Sequence, residues 1–271
     1  MKAYTIALAT AKEAIRRPAF FVLGFLAVAL LAYSIIVPYF TFGEDIKVYK
    51  DTGLTTISAF ALILALLTSS SAVADEIEGK TAITLLSKPI NRRQFIFGKF
   101  LGIEMGVLAF FGVIGVLFAM GVWYKYGYDV RESTSGVLDI IQRRKQIEQI
   151  LPGLALGFCE VTVLTAISVA ISTRMPMLVN LIVCLSIFFL GHLTPILVQG
   201  TKGKNELISF MAQLFKWALP SLEFFNAGPS IATGSLIPWI QYVLPAALYC
   251  VMYSGAAILL AFLLFEDRDL A

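Results

Sequence analysis

"PAFFVLGFLAVALLAYSIIVPYFTFG", residues 18–43, contains no charged side chain. The hydrocarbon core of a bilayer is about 30 Å thick, and about 20 apolar residues in a helix cross it. The stretch is long enough to cross and too long for the apolar part of a cleaved signal peptide. It predicts an uncleaved first span over 19–40. The rest of the chain has the same character. Of 271 residues, 58% are hydrophobic and 14% charged, too little polar surface to cover a soluble domain of this length. Further runs predict spans at 54–74, 98–123, 151–173, 177–199 and 239–265. The expectation is an all-α membrane protein, a single domain over 1–271 with six transmembrane helices.

Upstream of the first span, "MKAYTIALATAKEAIRR" places Tyr4, Leu8, Ala11 and Ile15 at three- and four-residue spacing. Lys2, Lys12, Glu13, Arg16 and Arg17 lie mostly elsewhere around the helix. This predicts an N-terminal amphipathic interfacial helix over 1–17, lying on the membrane surface and broken by Pro18. A short polar loop with Glu44, Asp45, Lys47 and Lys50 precedes the second span, and the basic turn "STRMP" separates the fourth from the fifth. Before the last span, the glycines and prolines of "FFNAGPSIATGSLIP" argue against a straight crossing. Short re-entrant or interfacial helices are expected there. A polar insert at 124–149 carries an amphipathic helical pattern in "VLDIIQRRKQIEQIL".

Composition also excludes function classes. The net charge of +3 is spread through the loops, so nothing points to nucleic acid. Cys159, Cys184 and Cys250 all fall in apolar runs without a C-x-x-C pair, which reads as buried small hydrophobes rather than a disulfide or metal framework. No Ser/His/Asp set, paired aspartates or H-E-x-x-H supports an intramembrane enzyme, so no catalytic, cofactor-binding or metal-binding residue is assigned.

Against this background, "DEIEGKTAITLLSKPINRRQFIFGK", residues 75–99, holds eight charged residues between two apolar runs. Asp75, Glu76 and Glu78 come off the end of the second span, and Gly79 breaks the helix at low steric cost. Ile83, Leu86 and Ile90 share one helical face, and Pro89 limits that helix to the residues before it. Asn91 with Gln94 has the spacing of a capping box, so a new helix is expected to start there. The result is a short crosswise helix with an apolar face and a charged rim. Lys88, Arg92 and Arg93 suit anionic lipid headgroups, but the three clustered acids gain nothing from them. They favour a protein partner.

Glu76, Ile77, Glu78, Leu85, Leu86, Ser87, Pro89, Arg92, Arg93, Gly98 and Lys99 together resemble the signature segment of ABC transporter permeases of the type-2 exporter class. That segment reads E-I-E-x-G-T, a Leu-Leu pair, S-x-P, and R-R before Gly-Lys; here Gly79-Lys80-Thr81 replaces the x-Gly-Thr order. The helix over 1–17, the ending "LLFEDRDLA" and "LPSLEFFNAGPSIATGSLIPW" are also similar to the family, the last closest to the multicopper-enzyme-maturation branch. The resemblance covers nearly the whole chain, the 124–149 insert least. It implies half of a transmembrane pore in the cytoplasmic membrane, paired with a second permease copy or a related permease. A separate ATP-binding cassette subunit would grip 75–99 through Glu76, Glu78, Gly79, Thr81, Ile83, Leu86, Lys88, Pro89, Arg92 and Arg93. The sequence has no G-x-x-x-x-G-K-[ST], and "GTKGKN" at 200–205 lacks the spacing, so ATP is expected in the partner. A membrane anchor that recruits a cytoplasmic partner without transport is the alternative. The substrate stays open among lipid, peptide, drug, polysaccharide intermediate and a sulfur or copper species.

Six spans put both termini on one face. Lys and Arg number eleven on that face and ten on the other. The positive-inside rule weighs residues next to span ends, and Arg16, Arg17, Arg92, Arg93 and Lys99 place that face in the cytoplasm. Within the spans, Glu104 is expected to reach toward the interface, or to pair with Lys99 or the surface helix. Glu160 lies deeper, a candidate pathway residue that His192 can join. Gly98, Gly102 and Gly106, and again Gly153 and Gly157, have the small-residue spacing that lets helix backbones approach. Thr165, Ser168 and Ser172 form a small polar stripe suited to interhelical hydrogen bonds.

Overall fold

Inside a bilayer the backbone has no water to bond, so each apolar run must close its own hydrogen bonds as a helix. The computed structural model describes residues 2–36, 45–78, 91–132, 140–200, 210, 213 and 219–266. Eight α-helices are seen among them: α1 (Lys2–Arg16), α2 (Pro18–Ile36), α3 (Asp45–Glu78), α4 (Arg92–Glu132), α5 (Ile140–Ser172), α6 (Met177–Gly200), α7 (Gly228–Thr233) and α8 (Leu244–Glu266). A single tight turn, Leu222–Phe225, precedes α7, and a wide turn, Trp239–Val243, leads into α8. Six of these helices, α2 to α6 and α8, are long and apolar enough to cross a membrane. The protein is an all-α, multi-pass membrane protein.

Alternate crossings give the bundle two ends. The Arg92 end collects the C-termini of α3, α5 and α8 with the N-termini of α4 and α6; the Asp45 end collects the opposite termini and the 219–238 segment. At the centre stands α5, packed against α3, α4 and α8, with Ile150, Leu156, Val161, Leu164 and Val169 buried. Helices α2, α6 and α8 turn Phe25, Tyr33, Phe189, Met252 and Leu259 outward. Exposed apolar residues in such numbers suit lipid tails, not water.

Three boundaries differ from the sequence expectation. The charged residues Asp45, Lys47 and Lys50 continue α3 instead of forming a loop, because neighbours satisfy them. Lys125 of α4 lies 3.8 Å from Asp45 and 3.5 Å from Asp129. Likewise, α4 does not stop near 123 but runs for 41 residues, about 61 Å at the helical rise. The amphipathic pattern in the insert is the first part of α5, which continues through Pro152 despite the lost backbone bond. Tyr126 donates to Gln142 at 2.8 Å, and the Arg143 guanidinium stands 4.9 Å from the Trp123 ring. The described parts of the insert, 124–132 and 140–149, are therefore the far ends of two spans, held together beyond their apolar parts.

Helix α1 has a second face beyond the apolar one expected. Tyr4 and Leu8 are exposed, while Ala7, Thr10, Ala11 and Ala14 are buried against α4. A Cβ on Gly98 would lie 2.9 Å from the Ala3 carbonyl oxygen, and one on Gly102 2.5 Å from that of Ala7. The glycine repeat thus seats α1 lengthwise on α4, backbone to backbone. Small residues on both partners allow that approach where lipid offers no hydrophobic drive for it.

Candidate functional site

The segment 75–99, expected to meet an ATP-binding partner, lies only partly within the described residues. Glu76 and Glu78 sit in the last turns of α3; Gly79, Thr81, Ile83, Leu86, Lys88 and Pro89 lie outside the described residues. The chain resumes at Asn91, whose carbonyl accepts from the Phe95 amide at 3.1 Å as α4 starts. Arg92 then turns to α8, where Nη1 donates to the carbonyls of Phe265 (3.2 Å) and Glu266 (2.9 Å). Arg93 meets the Glu266 carboxylate at 3.3 Å, and Arg174 Nε donates to the Leu264 carbonyl at 2.8 Å. Phe95 stacks on Phe265 with centroids 5.9 Å apart. The last carbonyls of a helix have no partner within it, and cations also suit that negative end. Three arginines from two connections therefore clamp the end of the last span, a grip the sequence reading did not foresee.

Above this clamp lies a polar knot. Asn180 Nδ2 donates to Ser70 Oγ at 2.7 Å and to Ser168 Oγ at 2.8 Å. Ser69 and Ser168 share a hydrogen bond of 2.5 Å, and Cys184 Sγ donates to Asn180 Oδ1 at 3.3 Å. Ser69, Ser70, Ser168 and Asn180 are fully buried. Of the polar stripe on α5, Ser168 makes the interhelical bonds; Thr165 and Ser172 donate to their own helix, to Val161 and Val169. Arg17 adds a bond to Ser71 and an ion pair to Glu13 at 2.6 Å. The run "SSS" at 69–71 and the lone Asn180 were the available signals.

The two intramembrane carboxylates face different surroundings. Glu104 accepts from Thr162 Oγ1 of α5 at 2.9 Å, directed sideways into the bundle and not back to the interface. Glu160, two residues earlier on α5, lies 3.4 Å from His192 Nε2 on α6, and the structure so brings the two candidate pathway residues together. Both line a cavity of about 130 Å³ between α3, α5, α6 and the 225–228 backbone, with Asp51 and Asn226 toward the Asp45 end. Gly153 and Gly157 form part of its wall, opposite Leu54 and Ser58 of α3. At that end Lys50, 1% exposed, donates to Gln146 at 2.7 Å and Gln149 at 2.5 Å. Gln149 in turn donates to the Gly234 carbonyl at 3.0 Å, where a φ of 71° favours glycine. A buried lysine thus ties α3 to α5 and to the turn after α7. Among the described residues, no three His, Cys, Asp or Glu side chains gather as a metal site.

The described residues thus place a clamp on the last span at the Arg92 end and a cavity between helices toward the Asp45 end. The family model of the ABC-2 family transporter protein matches residues 3–270. The chain belongs to that family. It is an ABC-2 membrane subunit of an ABC transporter, and the match extends through α1, the insert and the 219–238 segment alike. Among curated proteins, none matches this ABC-2 chain.

Proposed function

We propose that this chain moves a substrate across the cytoplasmic membrane, driven by a separate ATP-binding cassette subunit that grips residues 75–99. The observation that carries the reading is continuity: the charged connection between α3 and α4 leads within two residues into the Arg92 clamp on α8. A partner pulling on the connection acts at once on α3, α4 and α8. Binding of ATP by the partner favours one of two helix packings, and the transported molecule meets different exposures in each. ATP hydrolysis resides in the partner, and the chain works without a catalytic group of its own. Both termini face the cytoplasm, and two permease subunits, identical or related, form the pathway. Within the family, "LPSLEFFNAGPSIATGSLIPW" supports the multicopper-enzyme-maturation branch.

The test is capture of the chain from its native membranes in mild detergent, with mass spectrometry of what accompanies it. The control is a variant with Ile83→Asp and Leu86→Asp. Recovery of an ATP-binding subunit with the native chain and its loss with the variant supports the reading. An ATPase that is absent, or that the variant retains, overturns it and favours a recruiting anchor.

A further inference from the structure

Glu160 is 8% exposed, and its Oε1, buried in the wall of the cavity, accepts no hydrogen bond. Facing it at 3.4 Å is Nε2 of His192. The other ring nitrogen, Nδ1, lies 3.1 Å from the Phe188 carbonyl oxygen. A carbonyl only accepts, so in the neutral ring the proton sits on Nδ1 and Nε2 presents a lone pair. With the carboxylate ionised as well, two acceptors confront each other across that gap. That state carries a large desolvation cost; a proton taken up between the pair offsets it, and so does a donor that brings positive charge.

We infer that the cavity binds an organic ammonium whose N–H groups donate to Glu160 Oε1 and His192 Nε2. The inference rests on the transport reading above and names the substrate class for it. Charge in the cavity agrees. Asp51 and Glu160 line it, and among the described residues no lysine or arginine does. The neighbouring Lys50 is turned away to Gln146 and Gln149. The remaining wall fits carbon, not a hydrated metal ion: Leu54, Leu62 and Leu164 with the rings of Phe188 and Phe225. Aromatic faces also attract cations. A volume of about 130 Å³ is close to the ~150 Å³ of a cavity that takes one benzene ring.

The experiment uses the complete chain in lipid nanodiscs, without an ATPase, and equilibrium binding of radiolabelled phenethylammonium. The comparison ligand is 2-phenylethanol, which has the same shape and no charge. Saturable binding of the ammonium, at least tenfold tighter than the alcohol, is expected. E160Q abolishes that preference, and H192F weakens ammonium binding several-fold. E104Q, whose carboxylate bonds to Thr162 outside the cavity, keeps the native preference. Equal affinity for the two ligands in the native chain overturns the inference, and so does an undiminished preference in E160Q. The contrast between ligands needs no variant, and thermal unfolding checks the fold of each one used. Loss of ammonium preference with ATPase capture intact defeats this inference alone. Failed ATPase capture with ammonium binding intact defeats the transport reading and leaves the site standing.

Discussion

The two ends of the bundle hold the same helices by different means. At the Arg92 end, backbones approach to contact, as Gly98 and Gly102 meet the carbonyls of α1. Arginines grip carbonyls there, and buried Asn180 joins Ser70 to Ser168. Toward the Asp45 end the helices part around the cavity that holds Glu160, and Lys50 with its glutamines bridges α3, α5 and the Gly234 turn. Glu104 and Glu160 show the same contrast in one residue type. One is held by a hydroxyl inside the packing, the other borders open space. The difference teaches that close backbone approach is concentrated at the Arg92 end, while the space bordered by Glu160 and His192 opens toward the other.

Substitutions at matched positions break or sharpen that contrast. The largest effect is expected from Gly102→Ala, whose Cβ meets the Ala7 carbonyl, a backbone atom that cannot swing aside. A loss of about 3 kcal/mol in reversible unfolding in detergent or bicelles follows from overpacking of this kind. An undiminished stability would show that α1 is loosely docked. Asn180→Leu removes the donor shared by Ser70 and Ser168 and should cost about 1.5 kcal/mol in the same assay. Removing two clamp residues together, Arg92→Ala with Arg174→Ala, should cost about 1 kcal/mol. Faster hydrogen exchange confined to the last turn of α8 is its signature; faster exchange throughout α8 would show that the clamp holds the whole helix. The smallest effect belongs to Gly153→Ala in the cavity wall, below about 1 kcal/mol, because the close neighbour is the end of a flexible side chain and not backbone. Its new methyl meets the end of the Leu54 side chain, with open space beside it. A cost as large as that of Gly102→Ala would erase the distinction between the two ends.

Much of this was legible in the sequence, because lipid imposes a simple rule. Long apolar runs such as 18–43 must be helices, and six of them fixed the crossings. Asn91 and Gln94 marked the start of α4 for a similarly local reason: capping is decided within one turn. What stayed hidden depends on partners far along the chain. Lys50 looks like a loop residue until Gln146 and Gln149 are placed beside it, 96 and 99 residues away. The glycines at 98, 102 and 106 announced close packing but not with which helix, since any small-faced neighbour fits the same spacing. Of the candidate site, Glu160 and His192 stood out as costly polar residues in apolar runs. Their meeting required the crossing of α5 and α6, which no periodicity encodes.

The length of α4 has a mechanical consequence. Its 41 residues make a rod of about 61 Å, roughly twice the hydrocarbon thickness. A swing of about 5° pivoting at Arg92 carries the Glu132 tip about 5 Å, by the geometry of a rod that long. A few tenths of an ångström gained near the pivot thus arrive as a side-chain-sized stroke at the far tip, where Tyr126 and Trp123 couple α4 to α5. In the transport reading, leverage more than force is what this helix would supply.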